Sequence, residues 1–254
     1  MGLRGSLAAL FEGALKARIV RPDNIGPLFE ERHLYRFFRY FKIDCVFDVG
    51  ANAGQYATMI RERAAYTGPI ISFEPNPEAA VILREKARQD GRWFVEEVAL
   101  GAISGQATFN VATENQMSSL HEPQTTETEL FVGSAAIKQT INVTTSTLEV
   151  EVPKYRQKLG FKRPFLKMDT QGHDIEVALG AGNMLRDFVG LQSELAIKRV
   201  YANAPRYEDA IKFYTDRGFI LSALVPNNSG FFPYLIEMDC IMFRGDTMLG
   251  QQSI

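Results

Sequence analysis

The sequence predicts an α/β fold: a doubly wound, mostly parallel sheet with a C-terminal antiparallel strand pair, preceded by N-terminal helices. Three features carry this expectation. From residue 44 onward, short apolar runs alternate with segments of helical period, as in a parallel sheet covered on both faces. The first run, Cys45-Val46-Phe47-Asp48-Val49, stops at a glycine turn. The last two runs, residues 219–225 and 238–244, are separated by about a dozen irregular residues, too few for a helical crossover, so they should pair antiparallel.

Residues 1–40 read as helical, with Leu3, Leu7, Leu10, Phe11 and Ala14 at helical spacing and an aromatic-rich stretch from His33 to Phe41. Arg21-Pro22-Asp23-Asn24-Ile25-Gly26-Pro27 breaks this region into two helices. Residues 55–65 form the helix after the first strand, and residues 69–73 the second strand. Pro77-Glu78 opens the next helix, 77–90, with proline in the first turn and an acid at the positive end of the dipole. Residues 93–100 are the third strand, and 105–112 and 140–147 add edge pairs. Residues 165–169 are the fourth core strand, 172–180 start a helix, 189–195 are the fifth strand and 207–217 the last helix. Residues 148–164 carry no assigned element. The polar, unpatterned stretch 113–139 reads as a loop, of the kind that often closes over a site.

The 254 residues fit one domain, residues 42–254, behind an N-terminal helical segment, residues 1–41. A net charge of −2 offers no field for nucleic acid or an anionic membrane. No run approaches the roughly 18 apolar residues of a membrane span. Glu12 interrupts the first apolar stretch, so no signal peptide is read and a cytoplasmic protein is expected. Met1-Gly2-Leu3-Arg4-Gly5-Ser6 matches the loose myristoylation pattern, but an amphipathic helix packed on the domain or on a second subunit is the better reading. These helices are the expected contact of any homo-oligomer. Cys45 and Cys240 lie in strand-like runs and read as buried, reduced thiols.

The loop after the first strand, Gly50-x-Asn52-x-Gly54, sits where a doubly wound sheet binds nucleotides. It lacks the G-x-G-x-x-G of a pyrophosphate loop, and Asp48 stands two residues before its first glycine. A carboxylate there would repel pyrophosphate and suit a cation such as the methionine end of S-adenosylmethionine. Glu74 closes the second strand, where a carboxylate can accept hydrogen bonds from ribose hydroxyls. Asp48 and Glu74 could each be no more than solvated strand ends; together with the glycine loop they favour S-adenosylmethionine.

Three blocks carry a family resemblance: Val46-Phe47-Asp48-Val49-Gly50-Ala51-Asn52-Ala53-Gly54-Gln55-Tyr56, then Phe73-Glu74-Pro75-Asn76-Pro77, then Leu166-Lys167-Met168-Asp169-Thr170-Gln171-Gly172-His173-Asp174-Ile175-Glu176. In this order they resemble the FkbM-type methyltransferases, over roughly residues 44 to 244. The resemblance implies a Rossmann-like class I methyltransferase domain and O-methylation of a hydroxyl on a sugar, glycan or natural-product scaffold. By position it implies that Asp48, Gly50, Asn52 and Gly54 hold the methionine moiety and Glu74 the ribose. Asn76 would lie by the ribose or adenine edge, Val98-Ala99-Leu100 along the adenine, and Ser119 of Met117-Ser118-Ser119-Leu120 near the cofactor. Asp169 would face the transferred methyl group. Gln171 and Asp174 depart from the family, which often has glutamate at both.

An alcohol acceptor needs a base. Asp169 is the first candidate, Glu194 at the end of the fifth strand the second, and His173 the third, with a surface position on the following helix as its plainer reading. No metal ligand set is assigned; a divalent cation shared by Asp169 and Glu194 is the less favoured alternative. Asp239 is read as distant from the cofactor. Tyr201, Tyr207 and Phe231-Phe232 could stack on a sugar, but packing explains them equally well. The competing functions are a nicotinamide-dependent oxidoreductase on a related core and a non-catalytic scaffold that retains the fold.

Overall fold

The computed structural model describes residues 25–226 and 233–248. A seven-stranded sheet with order β3-β2-β1-β7-β8-β10-β9 forms its centre. Strands β1 (Cys45–Val49), β2 (Ile70–Phe73), β3 (Trp93–Glu96), β7 (Pro164–Met168) and β8 (Gly190–Ala196) are parallel. β10 (Glu237–Arg244) pairs antiparallel with both β8 and β9 (Phe219–Pro226). The strand order reverses between β2-β1 and β7-β8, and the carboxyl ends of β1 and β7 flank that switch point. The fold is the expected Rossmann-like sheet with a C-terminal antiparallel pair.

β1 shows why the strands are apolar throughout. Cys45, Phe47 and Val49 enter one core and Val46 the other, so all five residues are buried. One face is covered by α4 (Leu148–Leu159), α5 (Asp174–Leu179) and α6 (Tyr207–Thr215); the other by α1 (Ile25–Tyr40), α2 (Gln55–Glu62) and α3 (Pro77–Asp90). α3 starts and ends where its sequence says. Asn76 caps it by accepting from the Glu78 N–H, Pro77 takes the first position, and Gly91 closes it in the left-handed conformation.

Four expectations need correction. The break at residues 21–27 does not extend to its end: Ile25, Gly26 and Pro27 are the first turn of α1, where proline is tolerated because that N–H has no helical partner. The proposed third strand splits, with β3 ending at Glu96 and β4 (Ala99–Leu100) joining another sheet. β5 (Gly105–Ala112) and β6 (Ile137–Ser146) are not edges of the main sheet; with β4 they make a separate three-stranded sheet, order β4-β6-β5. The unassigned stretch holds α4. Leu148, Val152 and Tyr155 are buried at helical spacing, but Pro153 and the alternation of Glu149, Val150, Glu151 and Val152 hide that period. The expected helix in residues 1–20 and the loop at residues 227–232 lie outside the described residues. Both cysteines are buried free thiols.

α1 belongs to the core. Leu34, Phe37 and Phe38 recur on one face, and Phe37 and Phe38 both meet the Phe165 ring of β7 edge-on at 5.4 and 5.2 Å. Phe37→Ala would leave a cavity in this cluster. Denaturant unfolding should show a stability loss of about 3–5 kcal/mol; a loss under about 1 kcal/mol would mean that α1 is not part of the cooperative unit.

Candidate active site

A cleft of about 860 Å³ opens at the carboxyl ends of β1, β2, β7 and β8. Its floor is built by the first glycine turn. Gly50 has φ +73°, and a Cβ on it would lie 1.9 Å from the Asp169 carbonyl oxygen. The β1 and β7 turns therefore touch backbone to backbone, which only glycine permits here. Asn52 follows at φ +46°. Its N–H donates to Glu74 Oε2 at 2.7 Å, while the Asn76 N–H donates to Glu74 Oε1 at 2.8 Å. Burial raises the Glu74 pKa to about 7, even though both amides favour the anion.

Gly50, Asn52, Glu74, Ala99, Asp169, His173 and Glu194 all line this cleft. Four other predicted residues do not reach its wall, each for a local reason. Asp48 is fully buried beneath it, accepting from Ser72 Oγ at 2.9 Å and facing Lys167 Nζ at 3.4 Å. Gly54 lies against Trp93 and Leu83 and starts α2. Asn76 spends its carbonyl oxygen on the α3 cap and donates from Nδ2 to Asn115 Oδ1. Ser119 is 1% exposed, donates to the Gln171 carbonyl at 2.8 Å and accepts from the His121 N–H. Its neighbour Ser118 lines the cleft instead.

Lys167 is the residue that strand-end reasoning misses. It is charged, yet sits within the buried run Pro-Phe-Leu-Lys-Met, and that incongruity was its signal. Its Nζ lies 3.4 Å from Asp48, 3.5 Å from Asp169 Oδ2 and 3.4 Å from the Gly50 carbonyl, over the Tyr56 ring. Burial opposes its charge, but Asp169, Asp48 and Asp239 outweigh it and hold its pKa above the ordinary value. Asp239, read as distant from the cofactor, does not line the cleft but interacts electrostatically with this group: burial, Glu30 and Asp169 raise its pKa, and Lys167 and Gln192 oppose them. Glu30 of α1 also lines the cleft and accepts from Gln192 Nε2 at 2.7 Å. Nothing in its local sequence marks it, because only the packing of α1 brings it there.

Asp169 and Glu194 are joined by a side chain. Gln171 Nε2 donates to Asp169 Oδ1 and Glu194 Oε2, both at 2.9 Å, and Tyr201 Oη donates to Gln171 Oε1 at 3.0 Å. Three partners fix the amide orientation, and the amide stands where a shared cation would bridge the two acids. Glu194 is pushed well above the carboxylate range by burial, then by Glu237 and Asp169. Asp174 accepts from Thr170 N–H and Oγ1 and from Ser193 Oγ and the Glu194 N–H, locking the β7 turn to β8. His173 is not a surface residue: it is partly buried, lines the cleft, and sets Nδ1 3.1 Å from His121 Nε2. Burial and then His121 lower its pKa to about 4, so at neutral pH it is a weak base.

Part of the 113–139 stretch covers the cleft. Asn115, Gln116, Met117, Ser118 and Leu120 line it. The stretch is tied down by Tyr201, whose single hydroxyl proton is shared between Gln171 Oε1 and the Met117 carbonyl 2.8 Å away, and by an Arg199–Glu127 ion pair at 2.7 Å. Tyr201 is thus a buried anchor, Tyr207 packs on the core, and Phe231 and Phe232 fall outside the described residues.

The FkbM methyltransferase domain matches residues 48–221, more than half of the sequence. The chain belongs to this family and is an S-adenosylmethionine-dependent methyltransferase. No curated protein matches the sequence. Among solved structures the fold resembles magnesium protoporphyrin IX methyltransferase of Synechocystis, with bound S-adenosylmethionine, at 11% identity and TM-score 0.45, covering 87% of this chain and 80% of that one. It also resembles a methyltransferase from Aquifex aeolicus at 14% identity and TM-score 0.40, covering 88% and 94%. The family assignment sets aside the oxidoreductase and scaffold alternatives. No helix among the described residues is long and apolar enough to cross a membrane.

Lys167→Met keeps the volume and removes the cation, leaving Asp48 buried without its partner. Unfolding at pH 8 should show a loss of about 3–5 kcal/mol. The loss should shrink toward pH 5 as Asp48, whose pKa burial already raises, takes up a proton. An Asp48→Asn partner substitution should recover much of it; equal losses at both pH values would refute this pairing.

Proposed function

We propose that the protein transfers the methyl group of S-adenosylmethionine to a hydroxyl of a sugar, glycan or natural-product scaffold. The observation that carries this reading is the charge of the cleft. Among the described residues five acidic side chains line it, Glu30, Glu74, Asp169, Glu194 and Glu237, against one lysine, Lys167; burial favours the neutral forms of Glu30, Glu74 and Glu194, which a bound cation draws toward ionisation. Such a wall opposes a pyrophosphate and favours a ligand with an ammonium and a sulfonium. When bound, the cofactor supplies an electrophilic methyl group for an in-line displacement.

In this reading the Gly50–Asn52 turn receives the methionine end, Glu74 accepts from the ribose hydroxyls, and Ala99 lies along the adenine. Asp48 acts from beneath: it anchors the Lys167 ammonium, which faces Asp169. Asp169 is the base that takes the acceptor proton. Lys167 and Gln171 hold its two oxygens in place, and orientation of this kind supplies much of the rate in a displacement. Glu194 is the second candidate: burial favours its neutral form, and only its anion would be a stronger proton acceptor than an ordinary carboxylate. His173 ranks third because its depressed pKa makes it a poor proton acceptor. The apolar rim of Ile25, Phe29, Leu224 and Pro226 suits the hydrophobic face of a sugar or scaffold. Methyl transfer assayed against hydroxyl-bearing glycans and natural products tests the acceptor class; activity confined to nitrogen or carbon acceptors would overturn it.

Glu74 must be ionised to accept two ribose hydroxyls, and its pKa in the free protein stands near 7. Affinity for S-adenosylmethionine should therefore rise with pH up to about 7 and then level, changing about tenfold per unit below it. Calorimetry on Glu74→Gln should show weaker binding without that slope. Asp169→Asn should keep cofactor affinity within a few fold and slow turnover by about 10²–10⁴, the usual worth of a general base. If cofactor affinity collapsed in step with turnover, Asp169 would be a binding residue and not the base.

A further inference from the structure

Two of the chain's three histidines meet beside the cleft, together with a carboxylate. His121 Nε2 and His173 Nδ1 are 3.1 Å apart, and Glu176 Oε2 is 3.8 Å from His173 Nδ1. All three donor atoms lie within 4.8 Å of one another, and all three residues are half-buried. Glu176 Oε2 is buried and has no hydrogen-bond partner among the described residues. One proton shared between His121 Nε2 and His173 Nδ1 satisfies those two nitrogens but leaves that oxygen without a donor.

We infer that His121, His173 and Glu176 bind a divalent transition metal ion, zinc being the best match, at the wall of the cleft. Two imidazoles and one carboxylate form a borderline donor set that suits zinc and leaves a fourth position open. The separations are close to those between ligands on one ion: tetrahedral zinc with bonds of about 2.0–2.1 Å places its ligand atoms roughly 3.3 Å apart. Small rotations of the Glu176 side chain close the rest. The backbone on either side is already held. The His121 N–H donates to Ser119 Oγ, the His121 carbonyl accepts from Asn110 Nδ2, and the His173 carbonyl accepts from the Val177 N–H. Because His121 comes from the covering loop, His173 from the β7–α5 connection and Glu176 from the first turn of α5, the ion would clamp that loop to the sheet. The open position would offer a Lewis-acidic contact to an acceptor oxygen, a role that rests on the methyltransferase reading; the metal site itself does not.

The test uses tag-free protein stripped with a chelator and titrated with zinc alone, then with cobalt followed by its visible absorption. One equivalent should bind with a dissociation constant of micromolar or tighter, and cobalt should give the intense bands of a tetrahedral nitrogen–oxygen site. Glu176→Gln and His121→Asn should each weaken binding at least tenfold while the circular dichroism spectrum and the affinity for S-adenosylmethionine stay unchanged. Absence of binding at 100 µM zinc would overturn the site, as would binding that both substitutions leave intact. Normal cofactor binding by the stripped protein would separate failure of the metal site from failure of the methyltransferase reading.

Discussion

A single ammonium, that of Lys167, sits between the buried carboxylate of Asp48 and the cleft-facing carboxylate of Asp169, and the centre of the molecule is arranged around it. A lone buried acid on β1 would be costly in a low-dielectric interior, and a lone buried lysine on β7 equally so. Adjacent in register on paired parallel strands, they make each other tolerable. The pair fixes β1 against β7, and the backbone contact of Gly50 with the Asp169 carbonyl fixes the turns that follow. Both constraints act at the switch point, so the strand ends that carry the chemistry are also the most tightly specified.

Around this centre the polar groups serve position more than contact. Asp174 ties the β7 turn to β8, Gln171 spaces Asp169 from Glu194, and Ser119 and Tyr201 pin the covering loop to the Gln171 segment. Gln171 and Asp174 each have a structural role in this arrangement. An amide at 171 donates to two acids where a third carboxylate would repel them. The shorter acid at 174 reaches four donors on two elements.

Much of the fold was legible. Strands such as Cys45–Val49 are apolar because both faces are covered, and Pro77–Asp90 carries its own cap, proline and terminal glycine. Glu74 and Asp169 were visible as acids closing apolar runs. α4 was not, because Pro153 and a local alternation of acids and valines conceal a period that burial makes plain. The split of residues 93–100 between two sheets was equally hidden, since a strand's apolar pattern does not say which partner it pairs with.

The sequence by itself determined most of the α/β order of elements, the glycine turn and the strand-end acids Glu74, Asp169 and Glu194, since these depend on local period and strand ends. Tertiary structure alone decided which acids stay beneath the cleft, as Asp48 does, and which distant residues join them. Glu30, Lys167, Asp239 and the His121–His173 pair come together across wide sequence separations. Their meeting depends on sheet order and packing, and a single sequence does not encode long-range pairing in any short-range pattern.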